Sequence, residues 1–340
     1  MNLIEADNLT KIYRQNIKQP GIKGAFKSLL KTEWTEKTAV DHITFTMAEG
    51  ESLACIGENG AGKSTLIKML VGILNPTSGS VKVYGKNPMD HHEEYLRRIG
   101  VIFGQKTNLW WDIPVIESYR AIRVLYKLDS NLYEKNMKMI TELLELEPVL
   151  NSPARRLSLG QRMKADIGLI FLHSTRVLYL DEPTIGLDIN VKFTIRQFIR
   201  RMNRENGVSV LLTSHDLGDI EQISDNALVL SKGRIFYQGP LEQLKRNYAS
   251  TRLITIRGKV ISDITALAPD VSVTRDGLTI KITFDTRSHT SSAMMDMVSR
   301  CFDIEDITIE EPGIDQVVSK IFREGSKENS AETISESVKL

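Results

Sequence analysis

Residues 52–65 read SLACIGENGAGKST, and the fold turns on them. SLACI is a short apolar run of the kind that forms a strand covered on both faces. GENGAGKS (57–64) then fits the spacing G-x-x-x-x-G-K-[ST], and a helical pattern follows from about 63 to 72. Average residue frequencies produce that spacing in roughly one chain per hundred of this length. Its place between a strand and a helix makes chance a weaker explanation still. In such a loop successive backbone amides wrap phosphate oxygens, and Gly57, Gly60 and Gly62 keep side chains out of the way. Lys63 adds a point charge, and the Ser64 hydroxyl can ligate Mg2+.

Outward from this loop, strands and helices alternate, which predicts an α/β fold. Strands are expected near 2–7 and 40–47, and TSGSVKVYGK reads as a turn and a strand. VLYL (177–180) and VSVLLTS (208–214) are continuous apolar runs, as in a parallel sheet buried on both faces. Helical periodicity over 115–147 sets Ile116, Tyr119, Ile122 and Leu125 on one stripe. VLYLDEP (177–183) puts Asp181 and Glu182 at the C-terminal end of a buried strand, where open α/β sheets bind ligands. Asp181 suits holding Mg2+, and Glu182 can orient and deprotonate an attacking water. Taken alone, the pair also reads as acidic helix capping. RRLSLGQRMKADIG (155–168) is a second turn running into a helix, which extends to about His173. Amides along a helix start are built to meet an anion, so the chain carries two anion-type sites.

With these motifs in this order, residues 1 to about 245 resemble the ABC ATPase family, the nucleotide-binding subunits of ATP-binding-cassette transporters. The resemblance implies a P-loop NTPase of the ABC type: a RecA-like core, a helical subdomain at about 107–165 and an antiparallel β subdomain. It implies ATP and Mg2+ as cofactors, with Asn59 and Thr65 joining the phosphate loop's binding set. Gln105 in VIFGQK looks like the glutamine that bridges Mg2+ and the attacking water. Asp188 in IGLD looks like the D-loop aspartate, and His215 in TSHD like the switch histidine that reads the γ-phosphate. Tyr13 is placed like the aromatic that stacks on adenine. In the family, LSLGQ caps the γ-phosphate held by a second chain. Ser158, Gly160 and Gln161 would therefore complete a partner's site, and the chain would work as a homodimer or paired with a similar cassette. Leu159 departs from the usual signature glycine, while the serine and second glycine remain.

Length, composition and charge add limits. At 340 residues the chain suits two domains, and 41% hydrophobic with 26% charged residues is ordinary for a globular protein. A formal charge of +1 supplies no general field for nucleic acid. Cys55 and Cys301 read as buried thiols of a reducing compartment. The first residues lack a signal pattern, and no run approaches the roughly 18 apolar residues of a membrane span. A cytoplasmic location is expected, peripheral on the inner face of the membrane through a permease. Past residue 250 the texture changes. VSVTRDGLTIKITF (271–284) is a hairpin by its Asp-Gly centre. A helix at about 290–301 follows, then the strand DITIE and a helical stripe of Ile314, Val317, Val318, Ile321 and Phe322. The expected domains are 1–245, an α+β accessory unit at 250–323, and a polar, disordered tail at 324–340.

Some features bear on a partner. In 15–38, Ile22, Ala25, Phe26, Leu29 and Leu30 form a stripe flanked by Lys23, Lys27 and Lys31. It suits either packing on the protein's own sheet or lying against headgroups or a permease loop. Trp110 and Trp111 follow Gln105, where the family docks its permease, although core packing fits them equally. His91 and His92 read as solvated. The 15–38 segment, QRMKADIGLIFLH, TIGLD and EEPGIDQVV are similar to bacterial drug- and antibiotic-resistance exporter ATPases with separate permease chains. The rival readings are a soluble ABC protein acting on nucleic acid or ribosomes, and a nucleotide-gated module that hydrolyses little. The first lacks its usual second cassette, coiled coil or zinc cysteines here, and Glu182, Gln105 and His215 argue against the second.

Overall fold

The computed structural model describes residues 2–16, 34–90, 92–104, 106–173, 175–248, 251–262, 271–277 and 279–310. The chain divides into two compact units, Met1–Leu241 and Glu242–Leu340.

In the first unit, β1 (Asn2–Asn16) is the centre of a three-stranded antiparallel sheet, between β2 (Trp34–Ala48) and β4 (Ser78–Val83). Both long strands outrun the expected 2–7 and 40–47. Their distal ends pair polar residues, Tyr13 opposite Lys37 and Arg14 opposite Glu36, with Arg14 Nε 2.9 Å from the Glu36 carboxylate. Those ends carry no apolar alternation, which is why periodicity does not reveal them. The 34–38 part of the expected insertion is therefore strand, and its Ile22 to Leu30 stripe lies outside the described residues.

The larger sheet runs in the order β5-β6-β7-β3-β8-β9. Its strands are β3 (Ser52–Gly57), β5 (Ile99–Phe103), β6 (Val177–Asp181), β7 (Ser209–Thr213) and β8 (Asn226–Ser231), all parallel, with β9 (Arg234–Pro240) antiparallel at the edge. Helix α1 (Lys63–Leu70) follows β3, and α2 (His92–Leu96) precedes β5. Then come α3 (Val115–Leu125), α4 (Ser130–Leu143) and α5 (Leu159–Phe171), with α6 (Ile189–Asn206) and α7 (Leu217–Ile223) on either side of β7. Alternation along β6 assigns the faces. Leu178 and Leu180 belong to the core that holds Ile167 of α5 and Phe198 of α6, whereas Tyr179 belongs to the core that holds Leu66 of α1 and residues of the smaller sheet such as Phe45.

The expected run at 115–147 is broken. Lys127 adopts φ +50°, and Asp129 then caps α4 by accepting from the Asn131 and Leu132 amides at 2.9 and 3.2 Å. Tyr119 is buried, but Leu125 is 62% exposed, so the predicted stripe stops short. His92 departs from its solvated reading too. Gly72, bare of a side chain, makes room for its ring, and the buried Nδ1 of this half-buried residue has no hydrogen-bond partner among the described residues. His91 is not among them.

Through α8 (Leu241–Tyr248) the chain enters the second unit. There β10 (Thr251–Val260), β11 (Ser272–Asp276), β12 (Thr279–Asp285) and β13 (Phe302–Glu310) form an antiparallel sheet in the order β11-β12-β10-β13. The β11–β12 hairpin turns at Asp276-Gly277, with Gly277 at φ +60°. Helix α9 (Ser291–Cys301) packs Met294 and Val298 against Ile254, Ile282 and Phe284. Both Cys55 and Cys301 are buried thiols. The 314–322 stripe and the tail lie outside the described residues.

Candidate active site

Three adjacent strands, β6, β7 and β3, end side by side, so Asp181, Thr213 and Gly57 share one edge of the sheet. Past Gly57 the chain turns back through Gly62, which sits at φ +104°, and a Cβ there would lie 2.3 Å from the Ala39 carbonyl oxygen. Lys63, at the start of α1, is buried, and its Nζ donates to the carbonyls of Gly57 (2.7 Å) and Glu58 (3.1 Å). Burial pulls its pKa below the ordinary lysine range, against the opposing pull of Cys55, Glu182 and Asp181.

Ser64 Oγ donates to Asp181 Oδ1 at 3.1 Å, and Thr213 Oγ1 donates to the same oxygen at 2.6 Å. Glu182 follows at φ +55°, a left-handed backbone that non-glycine residues seldom adopt. Its amide donates to the Thr213 carbonyl (3.0 Å) and to Thr213 Oγ1 (3.2 Å), and its Oε1 lies 3.0 Å from His215 Nε2. Two clefts of about 390 Å³ each meet at Glu182. The first is lined by Tyr13, Lys37, Asn59, Gly60, Gly62, Lys63, Ser64 and Thr65, and the second by Thr184, Gly186, Lys192, His215 and Asp216. The paired oxygens of Ser64 and Asp181 are the hard donors that suit Mg2+, a cation that takes few protein ligands and completes its shell with phosphate and water.

The second turn assembles elsewhere in the unit. Ser158 caps α5, accepting from the Gln161 amide at 3.2 Å, while Gln161 Oε1 accepts from the Ser158 amide at 3.0 Å. Asp188 caps α6 in the same manner through the Asn190 and Val191 amides, both at 3.0 Å. The two helix starts touch closely: a Cβ on Gly160 would stand 2.9 Å from the Val191 side chain. Leu159 is half-buried and packs against the larger core, so the departure from glycine adds apolar contact there. Among the described residues, Ser158, Gly160 and Gln161 line neither cleft.

Gln105 is not among the described residues. Just past it, Asp166 Oδ1 of α5 accepts from Thr107 Oγ1 (3.0 Å) and from the Asn108 (2.7 Å) and Leu109 (3.3 Å) amides. Burial pushes Asp166 up to about 6, despite those three donors. Trp110 and Trp111 are 53% and 48% exposed, which removes core packing as their role, and the Arg162 guanidinium lies 5.2 Å from the Trp111 ring centroid. Sequence reading missed Thr213 and Asp166. An acid inside the apolar pattern of α5 was the available signal for the latter.

Strand, glycine loop, buried lysine and acidic strand end define an α/β nucleotide-binding ATPase site. The model of the ABC transporter family matches residues 40–185. The ABC transporter ATP-binding protein NatA of Bacillus subtilis is 30% identical over 63% of this chain and 87% of its own length. The bacitracin transport ATP-binding protein BcrA of Bacillus licheniformis is 30% identical over 61% of this chain and 67% of its own. A solved ATP-binding subunit of an ABC transporter superposes with a TM-score of 0.60, 26% identity, and coverage of 72% of this chain and 93% of that one. The chain belongs to the ATP-binding proteins of ABC transporters. No helix among the described residues is long and apolar enough to cross a membrane.

Proposed function

We propose that this chain hydrolyses ATP to ADP and phosphate as one of two paired cassettes that drive a separate membrane permease in export. The observation that carries the reading is the Glu182–His215 contact of 3.0 Å, at the junction of the two clefts and beside the Ser64–Asp181 pair. In this reading the adenine stacks on Tyr13, while the phosphates enter the loop of Asn59, Gly60, Gly62 and Thr65. Lys63 turns from its own carbonyls to the β- and γ-phosphates. Ser64 and Asp181, with Gln105, would hold Mg2+, which neutralises charge developing on the phosphates. Glu182 takes the proton of the attacking water, and His215 steadies Glu182 and reads the γ-phosphate. Ser158, Gly160 and the start of α5 would cap the γ-phosphate of a second chain, with Asp188 at the shared face.

Transport is supported by the bacitracin transport relative, export is the direction this reading assigns, and a location at the inner membrane face follows from a permease partner. The exposed pair Trp110 and Trp111 would border the permease contact. Residues 1–245 form the cassette in this reading, and the α+β unit at 250–323 braces or regulates the pair. The test is Glu182→Gln in the full chain with Mg2+-ATP. Loss of a general base lowers turnover by about a hundred- to ten-thousandfold, while bound ATP is retained. Undiminished phosphate release would overturn the proposal.

A further inference from the structure

Below the second cleft lies a charged cluster that the motifs do not name. Asp219 of α7 is 0% exposed. Its Oδ2 accepts from the Thr184 hydroxyl and from Ser214 Oγ at 2.6 Å. Its Oδ1 accepts from Arg196 Nε of α6 at 2.7 Å. Arg196 also reaches Asp216 Oδ1 at 2.8 Å, and Asp216 takes the Lys192 ammonium. Gly218 leaves the guanidinium its space, since a Cβ there would stand 2.9 Å from both terminal nitrogens.

The connectivity matters more than the charge. Thr184 stands two residues after Glu182, and Ser214 one residue before His215. One carboxylate oxygen thus collects a hydroxyl from each of the two loops whose side chains meet at 3.0 Å. A buried ion pair is a poor device for stability alone, because an apolar replacement of equal volume is often as stable. The left-handed Glu182 also needs surroundings that hold it in place.

We propose that Asp219 is a positioning residue of hydrolysis, which locks the loop carrying Glu182 to the loop carrying His215 through Thr184 and Ser214. This rests on the proposed roles of Glu182 and His215. The full chain is compared as wild type, Asp219→Asn, His215→Ala and the double variant, with the Thr184→Ala/Ser214→Ala pair as the arm that spares the Arg196 ion pair. Displacing a reacting group by about 1 Å can cost roughly a hundredfold, so kcat should fall by that order while ATP affinity stays within about twofold. Groups that act as a unit give non-additive losses. Adding Asp219→Asn to His215→Ala should therefore slow the enzyme no further, and the hydroxyl pair should behave alike. Multiplying losses, or a kcat retained in either folded variant, overturns the proposal. The His215 ring resonance supplies a readout without turnover, calibrated by Glu182→Gln, and it should move in Asp219→Asn and in the hydroxyl pair. An unmoved resonance overturns the proposal even if wild type splits no ATP, an outcome that by itself counts against the proposed activity.

Discussion

Lys63 is buried and bonded to the carbonyls of Gly57 and Glu58, so its removal acts twice. In the proposed function Lys63→Ala deletes the charge that would meet phosphate, and it leaves two loop carbonyls without the lysine donor. A hydrogen bond to a charged group contributes about 1.5–3 kcal/mol, which corresponds to at least roughly tenfold in affinity or turnover. Calorimetric titration of ATP into the variant checks this, and unchanged affinity with unchanged hydrolysis would contradict it. At this scale the sequence shows groups that act in order along the chain. Lys63 and Ser64 after a glycine loop, and Asp181 and Glu182 at a strand end, are legible because local sequence carries their placement. Thr213 and Asp219 are not, because their partners lie 32 and 35 residues away and only the sheet order brings them together.

Helix α5 joins the second turn to the segment after Gln105, and Asp166 makes that joint sensitive to pH. Burial raises it to about 6, against about 3.9 in an unfolded chain. The folded chain therefore binds this proton more tightly. The stability that Asp166 contributes is fully present below about pH 4 and is lost as pH rises through about 6. The gap corresponds to about 3 kcal/mol at most. In Asp166→Asn the titration is gone, so the stability of wild type relative to the variant should be greater at pH 4.5 than at pH 7.5. Urea unfolding at both values measures the difference, and a gap independent of pH would refute the assignment. Elements were legible unevenly, for a physical reason. The buried strands β3, β6 and β7 announce themselves as apolar runs. The break between α3 and α4 hangs on Asp129, a cap signal lying inside a pattern whose period continues across it.

For the whole molecule, the decisive point is where Ser158 and Gly160 are not. Among the described residues they line neither cleft of their own chain, and the α5 start they form is already self-capped. In the proposed function a second chain receives that face. Glu182→Gln at saturating Mg2+-ATP should accumulate as a dimer in light scattering. Adding Ser158→Arg should return it to monomer with ATP still bound to each phosphate loop. A monomeric Glu182→Gln protein would refute self-association. The second unit was readable where its turn chemistry is local, at Asp276-Gly277, and not in the length of β13, whose pairing with β10 is set by residues some fifty positions earlier.

The seat of the Lys63 ammonium on its own loop also bears on time. A loop already held in shape has only the turn of the Lys63 side chain to complete when nucleotide arrives, so encounters should vary little and departures should follow the contacts that must break. Nucleotides should then differ in how long they stay rather than in how fast they come, and the diphosphate, with one phosphate fewer to release, should leave first.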